Sequence, residues 1–452
     1  GGFVGPPIDT SYSYTDYKSR FVVRKSNNDH MWYGYLANLS YYPSPELAID
    51  GGLDLRAYEG THYASVDDLL GGDYFIDQSD HRIDYSETPK EAMKRQGDKF
   101  IYYSTSFAKW AGDYIQVEYS NPVYSALINV TNSIVNYKKE DYFADTASNA
   151  KNFFGWTIKG GFNYNFTEKI NFFVNGGYYD KVQMLTYVFD GYTVDFNDAV
   201  DNEKIKAAEF GAQFQSPMFS VRLNAYFTRW ENTVRRISKL EEDDGEYYST
   251  YAGLDANHMG VEVDFTVKPM ENIEFQGWLS VGNWKWDKAY EDLELYRRDN
   301  FGVHTTTLSF DITDIYVGDA PQTQFGGRVR VEPVKGLYGS VSGVLYDRYY
   351  SDFDPANVIG DDGNPVQSWQ IPTYKLIDFH AGYSFKLPWY QDVKMNIGLS
   401  ALNILDELYI SDALNNADPN GGGTVQPNFD AASAGVFFGP PRRFMIDFGF
   451  KF

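Results

Sequence analysis

Apolar and polar residues alternate along much of this chain with the two-residue period of a β-strand. In 393–401, every second residue from Val393 onward is apolar, and polar or small residues lie between them. Segments 219–227 and 259–267 repeat the pattern. Successive side chains of a strand point to opposite faces, so each segment presents one apolar face and one polar face. Helical spacing is weak nearly everywhere, and the sequence therefore predicts an all-β protein.

The alternation predicts about 16 strands, and several of the runs are 12 to 16 residues long. Runs of this length cross a bilayer when the strands are tilted, whereas strands of a soluble β-sandwich usually have about five or six residues. The predicted strands lie near 17–26, 31–42, 46–58, 112–120, 123–137, 153–166, 170–182, 204–215, 218–235, 256–267, 272–287, 320–333, 337–349, 372–386, 392–406 and 440–452.

Short and long connections alternate between these strands. The tight connections are 43–46, 120–123, 167–169, 216–218, 268–272, 334–336 and 387–391. The long and polar ones are 59–111, 138–152, 183–203, 236–255, 288–319, 350–371 and 407–439. Outer-membrane β-barrels have this asymmetry, with short periplasmic turns and longer extracellular loops. The connections therefore favour a transmembrane antiparallel barrel in the bacterial outer membrane over a soluble sandwich.

Composition narrows the function classes further. The 452 residues carry a net charge of -23 and include no cysteine. The acidic balance argues against nucleic acid as a partner, because phosphate binding requires a basic surface. The lack of cysteine excludes a disulfide framework and a thiolate metal site. No apolar run approaches the roughly 18 to 20 residues of a transmembrane helix.

Motifs of known enzymes are missing from the sequence. The six histidines are scattered, and there is no H-E-x-x-H, no G-x-S-x-G and no P-loop. We therefore expect no enzyme activity, no catalytic residue, no metal centre and no cofactor.

Acidic stretches with interleaved aromatic residues fall in the predicted long loops, at 65–80, 189–203, 240–248 and 352–364. Carboxylate oxygens bind hard cations, and aromatic rings stack on sugars or chelates, so Ca²⁺ or a ligand is one interpretation. Solvated acidic loops without a ligand are the alternative. The ligand candidates in the extracellular loops are Asp67, Asp68, Asp73, Tyr74, Tyr192 and Tyr247.

Several stretches together resemble the TonB-dependent receptor family, in particular its Bacteroidetes members. Segment 206–234 resembles a barrel hairpin that ends in Trp-x-Asn, and 318–353 resembles one that opens with Ala-Pro and closes with Tyr-Tyr. Segments 373–385 and 398–413 are similar to the penultimate region, although the sequence Asn-Ile-Leu-Asp replaces the typical Asn-Leu-Phe-Asp. Further matches are a strand and outer loop at 51–75 and the terminal strand at 439–452.

The resemblance implies a barrel of 22 strands closed by an N-terminal plug domain. The plug, the TonB box and about the first six strands have no counterpart here, and the chain starts with Gly-Gly-Phe rather than Met. We therefore expect residues 1–452 to be the C-terminal portion of the barrel domain. Among the 16 predicted strands, the first runs upward, from the side of the tight turns to the side of the long loops, and the last runs downward.

TonB-dependent active transport of a scarce nutrient is the function that the resemblance implies. A passive, porin-like diffusion channel and a barrel that scaffolds a surface or secretion complex are the alternatives. Polar residues on the inward faces would tune passage through the lumen. The candidates are Lys159, Asn163, Arg222, Glu262, Asp264, Asp378 and His380.

The implied partners are the lipid bilayer with lipopolysaccharide, the TonB complex through the missing N-terminal part, and a surface lipoprotein in some branches. In 440–452 the apolar residues from Phe444 onward alternate toward lipid, and the chain stops on Phe452. In this family a terminal aromatic residue resembles the signal read by the barrel-assembly machinery, so Phe452 is the candidate assembly signal.

Overall fold

The computed structural model describes residues 6–189, 193–240, 246–297, 304–352, 366–387, 389–414 and 434–451. Among these residues the only helices are one turn at Leu185–Val188 and a 3₁₀ turn at Pro89–Ala92. No described helix is both long enough and apolar enough to cross a membrane.

One antiparallel sheet of 19 strands contains nearly all of the described chain. Fifteen strands follow one another across it, and we number them in chain order. They are β1 Val23–Ser44, β2 Leu47–Asp68, β3 Lys99–Ser120, β4 Tyr124–Asp141, β5 Lys151–Asn165, β6 Ile170–Lys181, β7 Glu203–Gln215, β8 Phe219–Leu240, β9 Glu246–Met270, β10 Ile273–Trp286, β11 Pro321–Val334, β12 Leu337–Tyr350, β13 Tyr374–Leu387, β14 Tyr390–Leu402 and β15 Arg443–Lys451.

The other four strands of the sheet extend its outer part. A hairpin of Ala289–Arg297 and His304–Asp311 pairs with the start of β9. The two-residue strands Thr146–Ala147 and Gln370–Ile371 pair with the ends of β4 and β12. Two small separate sheets pair Phe75–Ile76 with Met93–Lys94 and Ile410–Leu414 with Gly435–Phe438.

Seven tight turns lie at one edge of the sheet, between β1 and β2, β3 and β4, β5 and β6, β7 and β8, β9 and β10, β11 and β12, and β13 and β14. The described parts of the long connections lie at the opposite edge. We call these the turn edge and the loop edge. The asymmetry is the one that the sequence predicts, and it confirms all seven tight connections.

The register places apolar side chains on one face and polar side chains on the other. Leu223 pairs with Val263 on the outward face, and the next pair along, Asn224 and Glu262, lies on the inward face. Outward residues remain exposed despite their apolar character: Phe210 is 58% exposed and Phe325 is 59% exposed. An apolar band of this kind suits contact with lipid rather than water.

The start of the chain differs from the prediction. The end of the predicted strand 17–26 and the whole of 31–42 belong to one strand, β1, so the long strands number fifteen rather than sixteen. The polar run Asn27 to His30 does not break the strand because its backbone pairs continuously with Tyr63 to Gly60 of β2. The first strand therefore runs from the loop edge to the turn edge, opposite to the predicted direction.

Strands also extend into regions predicted as loops. β2 continues to Asp68 and β3 begins at Lys99, although 59–111 was predicted as one connection. The strands Ala289–Arg297 and His304–Asp311 likewise occupy part of the connection predicted at 288–319. A strand of 22 residues exceeds the roughly 9 to 11 residues that cross a bilayer, so these strands project beyond it.

Buried hydrophobic residues concentrate near the loop edge. One cluster is built on Leu254, Trp286 and Ile312, and another on Val135 and Phe189. Two more lie at the outer ends of β2 and β12. In the described part of the chain, the apolar core therefore lies between the loops and the strand ends.

The sheet has two edge strands, β1 and β15. Within the described ranges, β1 pairs only with β2 and β15 pairs only with β14. Both faces of β1 are exposed, as Tyr35 (61%) and Leu36 (65%) illustrate. Both strands run from the loop edge to the turn edge.

Candidate functional site

A groove of about 1040 Å³ runs along the inward face of the sheet, from β3 to β10. Its charged lining residues are Glu118, Glu209, Glu262 and Lys159. Carboxylates outnumber amines, so the groove favours ligand groups that are cationic or that donate hydrogen bonds. The local cause is the strand alternation, which directs each of these side chains away from the apolar face.

Five of the seven inward-facing candidates meet in or beside this groove. Lys159, Asn163 and Glu262 line it, and Arg222 and Asp264 line an adjoining groove of about 500 Å³ together with Asn163 and Glu262. Arg222 and Asp264 are direct cross-strand partners on β8 and β9. Their placement agrees with the alternation, and their role in passage remains a prediction.

Neighbouring amides hold two of the carboxylates in the groove. Asn175 Nδ2 donates to Glu209 Oε2 over 3.1 Å, and Asn224 Nδ2 donates to Glu262 Oε2 over 3.4 Å. Each pair links adjacent strands of the inner wall. These neutral donors orient the carboxylates without neutralising their charge, so the wall keeps its negative potential.

Asp378 and His380 lie on β13, away from the groove. Asp378 Oδ1 accepts a hydrogen bond of 2.8 Å from the backbone N–H of Asn403, in the turn after β14. His380 Nδ1 forms a 2.9 Å hydrogen bond with the hydroxyl of Ser400 on β14. Asn403 is buried and also bonds to the backbone of Glu407 and Pro440. Asp378 therefore stabilises the exit from β14.

An aromatic niche at the upper part of the groove was not predicted. Thr228, His258 and Trp284 are aligned across β8, β9 and β10. The His258 ring lies 5.7 Å from Trp284 and 6.4 Å from Trp230. Trp284 Nε1–H donates to the Tyr226 hydroxyl over 2.9 Å. His258 Nδ1 is buried and has no hydrogen-bond partner among the described residues.

Glycine makes room for this niche. A Cβ at Gly282 would lie 2.7 Å from Trp284 Nε1, and one at Gly260 would lie 2.5 Å from the Tyr226 hydroxyl. Because glycine has no Cβ, the two rings can lie over the neighbouring backbone. The sequence signal was the inward series Tyr226, Thr228 and Trp230, which alone does not identify its cross-strand partners.

The loop candidates of the first acidic stretch lie at the outer end of β2. Asp67 and Asp68 are exposed, and Asp68 Oδ1 accepts a bond of 2.7 Å from the backbone N–H of Leu70. Asp73 Oδ2 accepts one of 2.8 Å from the backbone N–H of Tyr17. Tyr74 is fully buried, so its ring is not presented to a ligand in this structure.

Tyr247, Tyr192 and Phe452 are the remaining candidates. Tyr247 lies on β9, where its backbone pairs with Lys239 and Arg297. Tyr192 and Phe452 lie outside the described residues. No three acidic or histidine side chains come together as a metal site within the described ranges. Ca²⁺ binding in the acidic loops remains a prediction.

One ion pair holds the N-terminal segment together, and another attaches it to the first outer loop. Lys18 Nζ lies 2.8 Å from Asp9 Oδ2, and the guanidinium of Arg95 lies 2.8 Å from Asp16 Oδ2. The hydrogen bond from Lys18 lowers the pKa of Asp9, and the bond from Arg95 lowers the pKa of Asp16. The segment therefore covers the loop end of β2 most firmly when both carboxylates are ionised.

Comparison with known proteins shows similarity in structure only. No protein-family model and no curated protein matches the sequence. The chain is similar to the structure of the copper transporter OprC, with 13% identity and a TM-score of 0.63, over 94% of this chain and 57% of that one. It is also similar to the siderophore receptor PiuA from Acinetobacter baumannii, with 11% identity and a TM-score of 0.60, over 94% and 56%.

A third similar structure is the ferric citrate transporter FecA in its unliganded form, with 12% identity and a TM-score of 0.58, over 94% of this chain and 55% of that one. The chain thus spans a little over half the length of these proteins. At such identities the likeness shows the fold, and it confirms the predicted all-β barrel class. Together with the exposed apolar band, this fold is consistent with the predicted location in the bacterial outer membrane.

Proposed function

We propose that this chain forms the larger part of the wall of an outer-membrane receptor that imports a scarce nutrient by TonB-dependent active transport. The fold is that of proteins named as transporters and receptors for copper, ferric citrate and siderophores. The acidic groove and its aromatic niche supply an inner surface on which a polar ligand could bind during passage.

The direction of the two edge strands favours this receptor over a passive porin. Porins of this kind close by antiparallel pairing of the first strand with the last, and an even number of strands makes this possible. Here β1 and β15 run the same way, so joining them directly would require a parallel pair. To close the barrel with antiparallel pairs only, an odd number of further strands must lie between β15 and β1.

Further strands are also required by the bilayer, since unpaired backbone groups in lipid cost several kcal/mol each. We propose that additional strands and a plug domain belong to the same receptor, in the part of the related proteins that this chain does not cover. The described chain then supplies the wall against which the plug packs.

Partners follow from the same proposal. The TonB complex would act on the plug domain, the outward face would contact lipid and lipopolysaccharide, and Phe452 would be read by the barrel-assembly machinery. A surface lipoprotein and a Bacteroidetes origin rest on the sequence resemblance alone.

Uptake and conductance together test the proposal. Cells that carry the full-length receptor should take up its nutrient only when TonB and the proton gradient are intact, and the purified receptor should be nearly silent in a planar bilayer. Uptake that persists without TonB, together with large open-channel currents, would favour the passive channel. A receptor with neither uptake nor conductance but with a stable bound protein partner would favour the scaffold.

A further inference from the structure

Two histidines meet on the inward face of β1 and β2, near the loop edge. Asn28 pairs with His62, and His30 pairs with Gly60, so both imidazoles project from the same face of the ladder. Their ring centroids are 5.2 Å apart, and the ring planes are nearly perpendicular at 81°. His30 is exposed and His62 is half-buried, so a solute in the lumen reaches both.

One nitrogen of each ring is already engaged. His62 Nδ1–H donates to Asn28 Oδ1 over 2.6 Å, and His30 Nδ1 forms a 2.7 Å hydrogen bond with the Tyr58 hydroxyl. With Nδ1–H as the donor, the lone pair of a neutral imidazole is on Nε2. Metal-binding histidines are oriented in this way, through a second-shell oxygen on the other ring nitrogen.

The separation of the rings fits a shared metal ion. With a metal–nitrogen bond of about 2.1 Å, two imidazoles at a tetrahedral angle have their centroids about 5 Å apart. The observed 5.2 Å agrees with this value.

Glycine at position 60 supports the arrangement. A Cβ there would clash with the Tyr58 hydroxyl, so glycine allows Tyr58 to reach His30 across the strand. Trp32 packs beside the Tyr58 ring at 5.3 Å and limits its movement. The supporting residues are thus held in place before any ligand arrives.

We propose that His30 and His62 form a two-imidazole binding site for a first-row divalent transition metal, of which Cu²⁺ binds most tightly. No third acidic or histidine ligand completes the set within the described ranges, so the remaining coordination positions are filled by water or by a chelator that carries the metal. Binding at this pair does not depend on whether transport is active or passive.

Titration of the purified, EDTA-treated full-length protein with Cu²⁺ tests the site. The wild type should bind one ion with nitrogen hyperfine coupling in its electron paramagnetic resonance spectrum. His30→Ala and His62→Ala should each weaken binding by at least tenfold, and the double variant should lose the nitrogen coupling. Asn28→Ala, which removes an orienting oxygen, should weaken binding by about tenfold.

His81→Ala is the matched control, because His81 is an exposed histidine of the first outer loop. Its affinity should equal that of the wild type. Heat-dependent gel mobility of each variant verifies that the barrel has formed. A double variant that is folded and retains both the affinity and the nitrogen coupling would overturn the proposal.

A second experiment tests whether the histidine pair binds the free ion or a metal held by a chelator. Cu²⁺ bound to iminodiacetate keeps free coordination positions and imitates a metal held by a chelator. Loss of its binding in the double variant would support the pair as a site for chelated metal, whereas loss confined to free Cu²⁺ would support a site for the ion itself. Equal binding of both forms to wild type and double variant would contradict the proposal.

Discussion

The inner wall of the sheet and the layer near its loop edge are stabilised in opposite ways. On the wall, apolar residues such as Val261 face outward and stay exposed, while polar residues such as Glu262 face inward. Near the loop edge, Leu254 and Ile312 are buried as in the core of a soluble protein. Strand β9 belongs to both regions, so its apolar side chains are exposed on the outward face along one part of the strand and buried in a core along another.

The comparison shows that the position of an apolar side chain along the strand determines whether it contacts lipid or is buried by other side chains. Within the lipid band, hydrophobic side chains gain their stability from the bilayer, and the inward face is free to be polar. Beyond the band, the same side chains must bury one another. Substitutions at matched positions can separate these two contributions.

The largest effect is expected in the buried layer. Leu254→Ala removes a side chain that is 1% exposed and should lower the free energy of unfolding by about 2 to 5 kcal/mol. Urea unfolding of the receptor in liposomes measures the change. Leu408→Ala is the control, since Leu408 is 80% exposed and should change stability by less than about 0.5 kcal/mol. Equal effects of the two variants would contradict a core near the loop edge.

A charge on the lipid-facing side should have the next largest effect. Val261→Arg should cost about 2 to 4 kcal/mol if the residue lies near the middle of the bilayer. Ser280→Arg is matched in depth, because Ser280 pairs with Glu262, the residue next to Val261, on the inward face. We expect Ser280→Arg to be nearly neutral in the same unfolding assay. A larger loss for Ser280→Arg than for Val261→Arg would reverse the assignment of the two faces.

A substitution in the aromatic niche should have a smaller effect on stability than the two preceding changes. Gly282→Ala adds a Cβ within 2.7 Å of Trp284 Nε1, so the indole must move and its bond to Tyr226 should weaken, at a cost of about 1 to 3 kcal/mol. The tryptophan emission should shift as its surroundings change. Gly339→Ala is the control, because no atom lies within 4 Å of its added Cβ. An unchanged spectrum and stability for Gly282→Ala would show that the glycine is not needed.

The smallest effect is expected from acid, which should loosen the N-terminal segment. Asp9 and Asp16 have a lowered pKa in the folded protein, so their ion pairs stabilise it above about pH 4 and this contribution is lost as the pH falls through the folded-state pKa. Hydrogen exchange of residues 6–20 should therefore be steady from pH 7 to pH 5, after correction for intrinsic rates, and should accelerate below about pH 4. Asp16→Asn should reproduce part of the acceleration at pH 7. Exchange that does not depend on pH would contradict the role of these pairs.

Most of the wall could be predicted from the sequence. The alternation in 219–227, 259–267 and 393–401 gave the correct faces, because a residue's face in a strand depends only on its local position. The tight turns were also found, since two predicted strands leave only a few residues between them. The same logic placed Lys159, Asn163, Arg222, Glu262 and Asp264 on the inward side, where the grooves lie.

What the sequence did not reveal depends on register between strands. His30 and His62 are distant in the chain and meet only because β1 and β2 pair in one particular register. The aromatic niche requires three strands to be aligned. Tyr74 was expected at the surface, but the N-terminal segment and loop bury it, and no local pattern predicts such a tertiary contact.

The seven tight turns divide nearly the whole sheet into hairpins whose two strands are neighbours in both sequence and space. Removing or duplicating one such hairpin changes the number of strands by two and leaves every other strand with its direction and its facing side. Insertion of a single strand would instead invert everything that follows it. The circumference of a barrel with this construction can therefore change during evolution in steps of one hairpin, while the side that faces the cell's surroundings stays fixed.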